Sequence, residues 1–148
     1  MPLTRSAVTP VDFRAVFEQS IIPQLLLDPS FIIIAVTDAF AKATMTRREK
    51  IIGHHLFEIF PDNPDYSHAD GVSNLRRSLL KVVKSRAADK MPVQKYDIRR
   101  PAAEGGGFEE RYWRTLTWPI LGEDGFVSLI VHQVEDVTEL VHKGTLTP

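Results

Sequence analysis

Two polar side chains in apolar surroundings, His132 and Asp97, are the best candidates for chemistry in this chain. His132 lies within Phe126–Val134, a run of β-branched and large apolar residues, and Asp97 within Met91–Arg99. A carboxylate and an imidazole within hydrogen-bond reach can move a proton. One reading is therefore a small enzyme built on a curved-sheet pocket with an Asp/His pair. Residues two apart on a strand share a face, so Asp97 falls on the face opposite Tyr96 and Ile98, which counts against the pair. No nucleophile–base spacing accompanies it. Gly105-Gly106-Gly107 follows a strand but opens no helix, so it does not read as a phosphate loop. The chain has no cysteine, which removes disulfides, thiolate nucleophiles and Cys-based metal sites. His54 and His55 are neighbours, and adjacent helical side chains point about 100° apart, so they do not chelate a metal together. His68, in a Pro- and Asp-rich loop, reads as solvated. No catalytic and no metal residue is assigned.

A second concentration of chemistry follows His132. The strand signal ends abruptly at Glu135-Asp136-Val137-Thr138-Glu139. Asp136 with Glu139 three residues later is a variant of the capping box, with Asp136 receiving first-turn amides and Glu139 reaching back to the Asp136 amide. A buried strand thus hands over to a helix at one point. Asp136, Thr138 and Glu139 are the candidate relay residues.

The elements that position these groups can be taken in order. Thr9 and Pro10 read as the start of a helix carrying Phe13, Val16 and Phe17. Leu25–Leu27 and Phe31–Val36 form a hairpin about the turn Asp28-Pro29-Ser30. Thr37 or Asp38 caps a short helix, Thr46 starts another over Arg47–Ile52 that stops at Gly53, and His54–Phe60 adds a further turn before Pro61-Asp62-Asn63-Pro64. Asp70-Gly71 opens a longer helix with Val72, Leu75, Leu79, Val82 and Val83 on one stripe. Met91–Arg99, Phe108–Trp118 and Phe126–Glu135 are three more strands, with a turn over Pro119–Gly125. Helices clustered between strand groups mean α+β.

The 148-residue length fits one domain, and a net charge of -1 offers nothing to attract nucleic acid or an anionic membrane. The longest apolar runs, residues 21–27 and 31–36, are far too short to span a membrane, and the first ten residues lack the apolar core of a signal peptide. The expectation is a cytoplasmic protein with no membrane insertion. Residues 1–10 are expected to be a flexible leader, 11–140 a single domain, and 141–148 the start of an exit helix or a tail.

The ordered set Leu26-Leu27-Asp28, Ile34 through Phe40, Thr44 through Gly53, the Pro119…Asp124-Gly125 turn and Asp136-Val137-Thr138 resembles the PAS domain family, over roughly Phe13 to Leu140. Asp136-Val137-Thr138 looks like the Asp-Ile-Thr signature at which such domains pass into a signalling helix. The resemblance implies a five-stranded antiparallel sheet with helices on one face, a pocket between them and a flanking N-terminal helix. It also implies a sensory or dimerising module of bacterial signal transduction, above all of histidine kinases. The chain shows neither a phosphoacceptor-histidine helix nor a nucleotide-binding region, so an output domain or partner protein is expected to do the enzymatic work. One departure is Thr37, where the family usually has Asn; it suggests weaker local bonding there.

The resemblance also sets the inward face. Counting back from the terminal Asp puts Val134, His132, Ile130 and Ser128 inside, and counting back from Pro119 puts Thr117, Thr115 and Trp113 inside. Tyr96 and Ile98 are their counterparts in the preceding strand, with Leu25, Leu27, Leu75 and Leu79 from the hairpin and long helix. The predicted ligand site is His132, Trp113, Thr115, Thr117, Tyr96, Ile130 and Val134, apolar walls with a few hydrogen-bonding groups. The same residues equally describe a filled core, with Trp113 as plug and His132 bonded to Tyr96 or a threonine hydroxyl. Leu56 stands where light-sensing members carry a flavin-reactive cysteine, and residues 71–86 lack the histidine that ligates haem in others. No cofactor is expected; non-covalent flavin or haem is disfavoured. Leu116, Trp118 and Val131 on the opposite face need cover, from the N-terminal helix within one chain or across a homodimer.

Overall fold

Hydroxyl and carboxylate side chains, as much as apolar ones, decide where the elements of this fold begin and end. A computed structural model describes residues 9–148; the predicted leader lies outside them up to residue 8. The elements run α1 (Phe13–Glu18), β1 (Gln24–Leu27), β2 (Ile33–Val36), α2 (Asp38–Thr44), α3 (Arg48–Ile51), α4 (Leu56–Ile59), α5 (Gly71–Ser85), β3 (Asp89–Lys95), β4 (Ile98–Arg99), β5 (Phe108–Glu109), β6 (Tyr112–Leu121), β7 (Val127–Asp136) and α6 (Thr138–His142). Five strands form an antiparallel sheet in the order β2-β1-β7-β6-β3, and β4 with β5 make a separate small ribbon. The expected α+β architecture is the one observed.

The first hairpin is tied to α2 by a single hydroxyl. Thr37 is fully buried. Its Oγ1 donates to the Ile22 carbonyl at 2.8 Å and accepts from the amides of Gln24 at 3.0 Å and Phe40 at 3.1 Å. The last of these is the N-cap bond of α2. The expectation of weaker bonding at this position is therefore corrected: a threonine with three partners closes the turn. Other helix starts also differ from expectation. Asp12, not Thr9, caps α1 by accepting from Ala15 N, and α3 begins after Arg47 without a side-chain cap. His55 caps α4, its Nδ1 accepting from the Phe57 amide.

The predicted strand over residues 91–99 is broken at Tyr96-Asp97, and the strand over 108–118 at Glu110-Arg111. Asp97 sits at both breaks: its carboxylate accepts from Lys95 Nζ, Asn63 Nδ2 and the Arg111 amide, the Tyr96 amide still donates to the Arg111 carbonyl, and beyond them β4 and β5 pair as their own ribbon. Pro119 lies inside β6, not in the turn; β3 has already ended at Thr117, so no strand on that side needs the missing N–H. The turn itself closes at Gly122, whose amide donates to the Phe126 carbonyl, with Gly125 in the left-handed region at φ 80°.

Leu75, Leu79 and Val82 of α5 face the sheet and pack with Leu25, Leu27, Ile33, Val36, Phe40, Leu56 and Ile130 as the core. Alternation holds along β7 for Ile130, His132 and Val134 but not at Ser128, which is exposed. A register shift between Ile120 and Leu121 turns the strand there, and Val127 packs against the core instead. Helix α1 lies beside β2 and none of its residues is buried; on the outer sheet face Leu116 is exposed, but Trp118 is half-buried and Val131 is already buried within the single chain.

Candidate functional site

Between the sheet and the short helices lies a cavity of about 60 Å³. Trp113 and Thr115 of β6 and His132 and Val134 of β7 line its floor. Tyr96 and Ile98 close one side, Phe40, Leu56 and Leu75 come from the helices, and Phe60 from the residue that ends α4. Five of the seven predicted residues therefore meet: His132, Trp113, Thr115, Tyr96 and Val134. Thr117 and Ile130 are fully buried but stand outside the lining. The prediction missed Phe40, Thr44, Leu56 and Phe60, because helices of four to seven residues are too short to show which way they face. It also missed Gly71, Met91 and Gln94. Gly71 has a readable reason: a Cβ there would stand 2.5 Å from the Tyr96 ring, so only glycine lets α5 approach that wall.

The polar groups of the site are mostly occupied. The Tyr96 hydroxyl donates to the Phe60 carbonyl, and burial pushes its pKa up. The Trp113 indole N–H donates to the Tyr96 carbonyl at 2.8 Å. Thr44 donates to the Phe40 carbonyl, and Gln94 Oε1 accepts from Asn74. Thr117 Oγ1 and His132 Nδ1 lie 2.8 Å apart and satisfy each other. Burial lowers the His132 pKa to about 4, so the ring is neutral at pH 7. One group of the lining remains: the buried Thr115 Oγ1 has no hydrogen-bond partner among the described residues.

Asp97 and His132 do not form a pair. Burial works against ionising the Asp97 carboxyl, but the hydrogen bonds from Lys95, Asn63 and the Arg111 amide prevail and hold its pKa below the usual range. Its partners and those of His132 share no residue. His54 bonds Glu58, and no group of three His, Asp or Glu among the described residues could hold a metal.

The junction leaves the same two strands. Trp113 is the register partner of Asp136. Asp136 Oδ1 accepts from the Thr138 amide at 2.9 Å and from its hydroxyl, while Oδ2 lies 3.3 Å from Arg111 Nε. Thr138 Oγ1 in turn accepts from the Tyr112 amide at 3.0 Å, and the Val137 amide donates to the Tyr112 carbonyl. The expected capping box is corrected here. The N-cap position is Val137, which is buried, and Glu139 makes no bond to the Asp136 amide. The chain spends the Asp136 carboxylate on Thr138 and Arg111 before the helix begins, so α6 is held by side-chain bonds to the start of β6.

A family profile described as the PAS fold matches residues 17–142. Among solved structures, the PAS domain of nitrogen regulation protein NR(II) from Vibrio parahaemolyticus superposes with a TM-score of 0.61 at 10% identity, covering 86% of this chain and 99% of that one. A sensory box sensor histidine kinase from Vibrio cholerae gives 0.56 at 18% identity, covering 84% and 88%. A LOV protein from Rhodobacter sphaeroides gives 0.60 at 15%, covering 84% and 64%. No curated protein matches the chain in sequence.

The neutral, buried His132 carries a pH dependence with a definite sign. An unfolded histidine takes up its proton near pH 6.5, the folded one only near pH 4. Between those values the unfolded state binds more protons, so stability falls as pH drops from about 6.5 to about 4 and levels off below. The full swing is on the order of 3 kcal/mol. Urea denaturation at pH 7 and pH 4.5 should show His132→Gln losing clearly less stability than wild type on acidification. Equal losses in the two proteins would show that His132 is not the titrating group.

Proposed function

Because the chain belongs to the PAS-fold family, we propose that it is the sensory module of a bacterial signal-transduction protein, of the sensor histidine kinase kind. The observation that carries this reading is the shared strand start. Trp113 walls the cavity while the adjacent Tyr112 grips Val137 and Thr138, so occupancy of the cavity reaches the exit helix through one peptide unit. In this reading His132, Trp113, Thr115, Thr117, Tyr96, Ile130 and Val134 form or support the ligand site, and Asp136, Thr138 and Glu139 form the relay. The unit itself is non-catalytic, needs no cofactor, spans residues 11–140 and hands its signal through residues 141–148 to an output domain or partner protein. No helix among the described residues is long and apolar enough to cross a membrane, which agrees with work in the cytoplasm. The sensory box sensor histidine kinase and the nitrogen regulation protein of the same fold support the signalling context.

The module works as a homodimer in this reading. Phe13 is 77% and Val16 64% exposed, and Leu116 on the open sheet face is 38% exposed. A second copy would cover all three, and two-fold pairing is the commonest way to do so.

Two outcomes are expected. Asp136→Ala should leave the domain folded while amides of Val141–Thr145 exchange several-fold faster, because Thr138 loses its anchor; unchanged exchange there would remove the relay from the account. Light scattering at micromolar concentration should give a dimer for wild type and a monomer for Leu116→Glu. A monomeric wild type would contradict the assembly.

A further inference from the structure

The side chains that could offer a guest a hydrogen bond are committed elsewhere. The Tyr96 hydroxyl is held by the Phe60 carbonyl, and the Trp113 indole N–H by the Tyr96 carbonyl. Thr44 Oγ1 donates to the Phe40 carbonyl at 2.8 Å, and Gln94 Oε1 accepts from Asn74 Nδ2 at 2.9 Å. His132 Nδ1 shares a hydrogen bond with Thr117 Oγ1. The Thr115 hydroxyl is unbonded but itself buried, out of a guest's reach. No Asp, Glu, Lys or Arg lines the space.

The surface left to meet a guest is almost wholly apolar. Phe40 and Phe60 stand edge to face, with ring centroids 5.8 Å apart and planes at 84°. The rings of Tyr96 and Trp113 add to this wall, because their polar ends are tied back to the backbone. Met91, unbranched and polarizable, can adapt its side of the cavity to guests of differing outline.

Such a wall selects by exclusion. A charged group brought inside would lose its water with no counter-charge to meet it, and a hydroxyl or amide would lose its water for few partners. An apolar guest gives up nothing of that kind. Cavities with apolar walls stay dry, so it has no bound water to displace, and leaving bulk water is favourable in itself. Resting on the reading that this cavity is a ligand site, we propose that it takes small hydrocarbon-like molecules with no charged or hydrogen-bonding group, aromatic rings among them.

Toluene and phenol are close in size and shape and differ by a methyl against a hydroxyl, so the pair tests the class. Titrating the whole chain at pH 7 with toluene should give saturable amide shifts at Leu56, Leu75, Trp113 and Val134. Phenol should bind more weakly by a factor of about ten or more, because its hydroxyl would go without a partner. Phenol binding as tightly as toluene would overturn the ligand class and leave the ligand site standing. If neither compound moves these four amides, or if shifts are confined to exposed residues such as Phe13 and Leu116, the cavity is part of a filled core. The ligand-site reading then fails together with the class.

Discussion

The register of β6 on β7 is the constraint on which the rest depends. Ten-residue strands pair so that Thr117 faces His132, Thr115 faces Val134 and Trp113 faces Asp136. One register therefore sets the floor of the cavity and the position of the junction together. A slip of one residue would turn every inward side chain to the other face, exposing His132 and Trp113 and burying Glu135. The core excludes that alternative, because Ile130 and Thr117 are wholly buried while Glu135 meets Arg114 at the surface.

Around that pair, polar side chains do the joining that apolar packing cannot. Asp97 draws Lys95, Asn63 and Arg111 together where two strands break. Arg111 then meets Glu109 and Asp136, which ties the β4–β5 ribbon and the junction to one guanidinium. Surface pairs such as Arg114 with Glu135 contribute little by comparison. Thr37 has the corresponding role at the far edge of the sheet, where losing its hydroxyl would strand the buried Phe40 amide at about 1–3 kcal/mol and leave the part-buried Gln24 amide without that partner. The helices contribute the lid of the cavity, and Gly71 lets α5 lie against Tyr96 without displacing it.

Much of this was legible in the sequence wherever period-2 alternation is long. Ile130, His132 and Val134, and Trp113, Thr115 and Thr117, face inward as their spacing and the family resemblance require. Ser128 escapes because a register shift intervenes, which alternation alone cannot show. The breaks at Asp97 and Arg111 were invisible because they lie where a carboxylate meets partners far away in sequence, Asn63 among them. Phe40 and Leu56 went unassigned to the cavity for the same sort of reason, as did Phe60 just past the end of α4: those short helices are oriented by tertiary contacts. At the junction the sequence pattern points to Asp136, Thr138 and Glu139 but not to their bonding. Asp136 binds Thr138 and Arg111, partners a local capping pattern does not include.

The central claim is that the cavity wall and the exit helix move as one through the start of β6, and amide exchange on Trp113→Phe tests it most directly. That change removes the indole bond to the Tyr96 carbonyl at the cavity while leaving the backbone pairing of position 113 with Asp136 in place. Faster exchange at Val137 and Val141, with the amide of Ala41 in α2 unchanged, is the predicted result. Unaltered protection at Val137 and Val141 in a folded variant would contradict the coupling.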